Sequence, residues 1–274
     1  MDIGLEWIAP SNADSTASWL RAHAEMAHLP TVRHSVTMRA TPDGARHTLD
    51  ACRALHQTGH RAGLMAHATT GVLERRRFAA WMDSLRPTGV DALLCMRGDT
   101  VVAADPFASV LDLVRATANT GWAQPWVAAS PDGHPDSRGE QADFDWLLAK
   151  IDAGAVGAIT QALFDATRFL RWRDRLAVAR PGFLWVAGVV PVREWARTAR
   201  FAQRCGVPLP HALERRLAGL SPAEATTQGR LHTENLVAQL DRAGCDGVHV
   251  FTLNASQGIV GLLGGVLETA CVAA

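Results

Sequence analysis

Short apolar runs rich in β-branched residues recur along the chain, and amphipathic stretches separate them. The runs over 3–8, 32–38, 62–66, 92–96, 126–129, 158–161, 183–190 and 247–253 predict eight strands. The stretches over 13–27, 45–57, 72–86, 106–119, 141–153, 166–179, 193–205 and 223–243 predict helices, with a last helix running to the C-terminus. Gly154 and Gly244 follow two of these helices where a left-handed residue closes the last turn, and Pro181 stops another. Pro208 and Pro210 break the pattern after 205. Strands alternating with helices, with no charged or low-complexity linker, favour a parallel sheet. A length of 274 residues suits an eight-fold barrel better than a doubly wound sheet. The expected fold class is α/β, a (β/α)8 TIM barrel forming a single domain over 1–274. No Gly-x-Gly-x-x-Gly follows the first run, so a Rossmann start has no support.

Barrels of this kind carry their chemistry at the C-terminal ends of the strands. Those ends are polar here: Glu6, Thr37, His67, Arg97-Gly98-Asp99, the segment 130–134, Thr160-Gln161 and Thr252-Leu253-Asn254. Glu6 stands out because Leu5, Trp7 and Ile8 surround it, and a carboxylate among such neighbours is costly unless exposed or partnered. A partly desolvated carboxyl has a raised pKa and suits general-acid work. Gln161 can donate and accept at once, as recognition of an amide-like ring edge requires. His67 and His134 are expected in strand-end loops.

Composition narrows the partners. The formal net charge is +0, which gives no electrostatic reason to expect nucleic acid or an anionic membrane. The five cysteines are odd in number and form no Cys-x-x-Cys pair, so reduced thiols in a cytoplasm are the simpler reading. The first residues lack a basic stretch followed by an apolar core, so no secretory leader is expected. The apolar tail over 259–267 is too short to span a bilayer. No His-x-His pair sits at a strand end, which argues against a metal-dependent barrel hydrolase, and no metal is expected.

Several blocks, taken in order, resemble the methylenetetrahydrofolate reductase family. They are Leu5-Glu6-Trp7-Ile8-Ala9-Pro10, Met96-Arg97-Gly98-Asp99, Val127-Ala128-Ala129 leading to Gly133-His134-Pro135, and Asp152-Ala153-Gly154-Ala155 with Ala158-Ile159-Thr160-Gln161. Gly188-Val189-Val190-Pro191 and His249-Val250-Phe251-Thr252-Leu253-Asn254 complete the series. The resemblance implies a barrel that binds FAD at its C-terminal face. NADH or NADPH reduces the flavin and leaves, and 5,10-methylenetetrahydrofolate then takes its place and is reduced to 5-methyltetrahydrofolate, a ping-pong scheme in one-carbon metabolism and methionine biosynthesis.

By the same resemblance Glu6 is the acid that protonates folate N10, and Asp99 stabilises the cationic iminium and contacts both pterin and flavin. Gln161 and Trp195 contact the folate. Thr37, His67, Arg97, Gly98, Asp99, Ala108, His134, Asp143 and Lys150 contact FAD. The pattern is also broken in places. Ser130 stands where the family has a tyrosine, the chain has no tyrosine at all, and Ala255 replaces the arginine after Thr-Leu-Asn. These departures keep a second reading open, a reductase-like barrel that binds a folate or pterin without ordinary FAD chemistry. A homo-oligomer is compatible with either.

Overall fold

In the computed structural model, which describes residues 1–60, 62–257 and 259–261, eight parallel strands close into a barrel. The strands are β1 (Asp2–Trp7), β2 (Arg33–Val36), β3 (Gly63–Thr69), β4 (Val90–Met96), β5 (Gln124–Ala129), β6 (Gly157–Leu163), β7 (Leu184–Val189) and β8 (Gly247–Phe251). They pair in chain order, and β8 returns to β1. The helices are α1 (Ala13–Met26), α2 (Gly44–Gln57), α3 (Phe78–Leu85), α4 (Val110–Ala118), α5 (Glu140–Asp152), α6 (Thr167–Ala179), α7 (Trp195–Arg204), α8 (His211–Leu217) and α9 (Pro222–Arg242). Among the described residues no helix is long and apolar enough to cross a membrane.

Strand alternation sorts the core into two layers. Outward residues such as Leu5, Trp7, Val36, Leu93 and Val250 pack against the helices with Trp19, Met26, Leu113, Phe169 and Trp172. Each such side chain contributes about 1.5–3 kcal/mol when fully buried. The interior divides by strand. Met65, Ala92, Leu94, Trp126 and Ile159 fill the side facing β3 to β6 with apolar atoms. Glu6, Ser35, His67 and His249 occupy the side formed by β8, β1, β2 and β3. Gly4 makes room for this: a Cβ there would meet His249 Nδ1 at 2.5 Å.

The eight strands and the helix order match the sequence pattern, and the differences have local causes. Helix α4 starts at Val110 rather than 106, because the Ser109 side chain accepts the Asp112 N–H and caps it. The stretch before Phe78 is a 3₁₀ turn whose arginines pair with Glu74 and Asp105. The break after 205 hides a helix, α8, which starts directly behind Pro210. Strand β3 runs on to Thr69, held by its pairing to β4. His67 therefore lies inside a strand and points into the barrel, not in a loop. The last helix is described only at 259–261; the rest of it lies outside the described residues.

Helices α7 and α8 are not part of the outer ring. Between β7 and α9 they pack on the C-terminal ends of β6, β7 and β8, where Ala202, Val207, Leu213 and Leu217 bury against Phe164, Val192 and Phe251. The turn after α7 crosses the rim, so that Gly206 lies against Pro135 of the loop after β5. The barrel mouth thus carries a cap.

Candidate active site

The mouth is built on a pinned strand end. Asn254 Oδ1 accepts the Ile8 N–H at 2.8 Å, and its Nδ2 donates to the Ile8 carbonyl at 2.9 Å. Thr252 Oγ1 donates to the Glu6 carbonyl at 2.5 Å. Leu253 and Asn254 hold φ of 50° and 60°, a left-handed pair that non-glycine residues adopt at a cost. Thr252-Leu253-Asn254 thereby clamps the backbone from the Glu6 carbonyl to Ile8.

Burial pushes the Glu6 carboxyl up to about 8, so it carries its proton at neutral pH. His67 Nε2 lies 3.7 Å from Glu6 Oε2. Burial first, and then His249, pushes His67 down to about 3. Both groups are neutral at pH 7, so their contact is a polar approach and not an ion pair. Behind them, Ser35 Oγ lies 3.1 Å from His67 Nε2 and 2.8 Å from His249 Nε2. One hydroxyl proton serves only one of these imidazoles, so the other must donate to the serine. The result is an uncharged, hydrogen-bonded chain inside a barrel, and it gives Glu6 no cation to lower its pKa.

Asp99 follows Gly98 (φ 82°) at the end of β4 and is exposed. A Cβ on Gly98 would meet Thr69 at 2.9 Å, which fixes glycine in this turn. Glu6 in β1 and Asp99 just after β4 stand toward the C-terminal ends of parallel strands, and both charges help raise the Cys205 thiol, which burial raises most. The two acids therefore sit at the same end of the barrel. Beside them Arg97 Nη2 pairs with Asp136 Oδ2 at 2.8 Å, and this bond holds Asp136 below the usual carboxylate range. Asp143 Oδ2 accepts the His134 N–H at 3.2 Å, and His134 Nδ1 accepts the Asp136 N–H at 3.1 Å. Thr37 Oγ1 accepts the Ala9 N–H at 3.2 Å. Arg97, His134, Asp136 and Asp143 thus form one polar shelf between β4 and β5.

Other expected residues lie differently. Lys150 is buried and donates to the Ala128 carbonyl at 2.7 Å, and burial lowers its pKa to about 8 despite Asp143. Its ammonium supports the strand instead of reaching the shelf. Gln161 Oε1 accepts the Ala162 N–H at 2.9 Å within a register shift of β6, which leaves its amide nitrogen for a ligand. Trp195 packs under the cap at the start of α7. Ala108 is exposed next to the α4 cap.

Sequence reading passes over Ser35, His249 and Cys205. Ser35 and His249 were legible as polar residues in phase with Glu6 on their strands. Cys205 comes to the mouth only through the cap, which no local pattern announces. A second histidine cluster, His23, His34 and His60, gathers on the outer face of β2 at the N-terminal end of the barrel.

A family model described as methylenetetrahydrofolate reductase matches residues 1–264. The 5,10-methylenetetrahydrofolate reductase of Pectobacterium carotovorum subsp. carotovorum is 28% identical over 262 residues, covering 94% of this chain and 87% of that protein. The enzyme of the same name from Escherichia coli is 31% identical over 172 residues, covering 62% of this chain and 58% of that protein. Among solved structures, a Clostridium thermocellum protein that binds two copies of 5-methyl-5,6,7,8-tetrahydrofolic acid superposes with a TM-score of 0.69 at 12% identity. It covers 99% of this chain and 95% of its own, a likeness of fold.

Proposed function

The chain belongs to the methylenetetrahydrofolate reductase family, an oxidoreductase family, and from that membership we propose that it reduces 5,10-methylenetetrahydrofolate to 5-methyltetrahydrofolate in a ping-pong cycle, with FAD as carrier and NADH or NADPH as donor. The observation that carries this reading is Glu6: a protonated carboxyl at neutral pH, clamped at the barrel mouth on the same side as Asp99. The reaction needs such an acid. The Glu6 proton goes to folate N10, the N10–methylene bond breaks with its electron pair staying on N10, and the methylene carbon becomes an N5 iminium. The Asp99 carboxylate offsets that positive charge. A bound flavin, once reduced by NADH or NADPH, would supply the hydride that the methylene carbon takes up. Glu6 is left as a carboxylate and regains its proton before the next cycle.

The donor set suits FAD. Arg97 offers a guanidinium fork to a pyrophosphate or to the electron-rich edge of a flavin, and the Asp143 carboxylate can accept from ribose hydroxyls. On this reading Thr37, His67, Gly98, Ala108 and His134 contribute further contacts to FAD. Lys150 does not fit a direct contact while it holds the Ala128 carbonyl. That inward lysine, together with Ser130 and Ala255, favours the second reading, a barrel that binds folate without FAD. We place the protein in the cytoplasm.

The purified full-length protein decides between them. A yellow protein that bleaches anaerobically with NADH or NADPH and is reoxidised by methylenetetrahydrofolate supports the reductase. A colourless protein that binds 5-methyltetrahydrofolate overturns the FAD-dependent reading in favour of the second.

A further inference from the structure

We propose that His23, His34 and His60 form a binding site for a divalent transition metal ion of the zinc class, at the end of the barrel opposite Glu6. The three residues come from three elements: the last turns of α1, the start of β2, and the connection into β3. Their rings meet at centroid distances of 5.2, 5.3 and 4.4 Å. One ligand nitrogen from each lies within 4.8 Å of the others. Nitrogens bound to tetrahedral zinc at about 2.0–2.1 Å stand roughly 3.3 Å apart, so closing the trio takes movements on the order of 1 Å.

The hydrogen bonding leaves the cluster incomplete. His23 Nε2 and His60 Nε2 are buried, with no hydrogen-bond partner among the described residues. Buried polar atoms are nearly always satisfied, so two orphans facing one cluster call for a ligand. The Ala62 backbone lies close enough to the His60 ring to raise its pKa in part against burial. His34 is less prepared. Its Nδ1 accepts the Trp7 indole N–H at 3.1 Å, and its Nε2 lies 2.8 Å from Thr31 Oγ1. To ligate through Nε2, His34 must shift its proton to Nδ1, release Thr31 and leave the Trp7 N–H without its acceptor. The ion therefore binds first to His23 and His60, and Trp7 fluorescence reports the engagement of His34. His60 is half-buried, which opens a path from solvent, while His23 and His34 are buried.

The site shares no residue with the mouth, so its test is independent of the proposed reaction. Untagged full-length protein is stripped with EDTA and titrated with cobalt(II), then with zinc(II). The expected result is one visible-absorbing cobalt ion per chain, displaced by zinc, with Trp fluorescence changing in step. Zinc should raise the melting temperature of the parent protein. His60→Ala should weaken binding at least tenfold and abolish the zinc-dependent rise. The partly exposed His60 is the variant that decides if His23→Gln fails to fold. A parent protein that binds no cobalt, or a His60→Ala protein that binds it equally, overturns the proposal, and water then fills the cluster.

Discussion

The two ends of the barrel bury ionisable groups with opposite results. At the C-terminal end, burial pushes Glu6 up to about 8. At the N-terminal end, burial and then His60 push His23 down to about 4. One cause, the loss of water around a charge, acts at both. It keeps each group neutral, and what differs is what neutrality leaves behind. An uncharged carboxyl has a proton to give, whereas an uncharged imidazole has a lone pair to share. The same apolar wall therefore prepares an acid at one end and a ligand at the other.

Glu6→Gln breaks this comparison hardest. It should leave reduction by NADH or NADPH nearly intact and slow the folate half-reaction by about 10²–10⁴-fold. Rapid-mixing measurements of the two half-reactions check this, and a parallel fall in both would remove the acid role. Next comes the pH profile of the folate half-reaction. Only protonated Glu6 works as the acid, so the rate should fall about tenfold per unit as pH rises above about 8. A rate that stays level to pH 9.5 would contradict a raised carboxyl pKa.

Stability separates the buried imidazoles of both ends from the buried carboxyl. His23, His67 and His249 have folded pKa values of about 4, 3 and 3, below the ordinary 6.5. As pH falls below 6.5 the unfolded chain takes up protons that the folded chain refuses, so stability present above 6.5 is lost toward those folded values. Each such histidine contributes about 1.4 kcal/mol per pH unit within that window. Glu6 works in reverse, its contribution being present below the ordinary carboxyl value and lost as pH rises through about 8. Urea midpoints should therefore peak near pH 6.5 and decline gently toward pH 8, and a profile that keeps rising as the pH is lowered from 6.5 to 5 would refute the neutral histidines. The smallest expected effect is Gly4→Ala, whose methyl would press on His249 Nδ1 and cost about 1–3 kcal/mol in urea unfolding.

The period of apolar residues made the barrel readable, because every strand had to bury one face against the helices. Glu6 and Asp99 were readable for a related reason: polar groups at the ends of apolar strands have few places to go except the mouth. What stayed hidden depended on contacts between distant segments. Helix α8 begins behind Pro210, where a proline reads as a break and yet also suits a helix start. The strand position of His67 depends on pairing with β4, and the direction of Lys150 on a carbonyl of β5. His23, His34 and His60 meet only once α1 has folded back along β1 and β2, so no spacing in the chain could group them.

The cap of α7 and α8 draws its cohesion from an apolar cluster of its own, largely separate from the one that holds the barrel to its helices. A layer fastened by so small a cluster can open locally at less cost than the wall beneath it, and its amides should exchange ahead of the strand amides. Substitutions at Val207 or Leu213 should therefore hasten exchange of the cap amides and leave the strand amides unchanged.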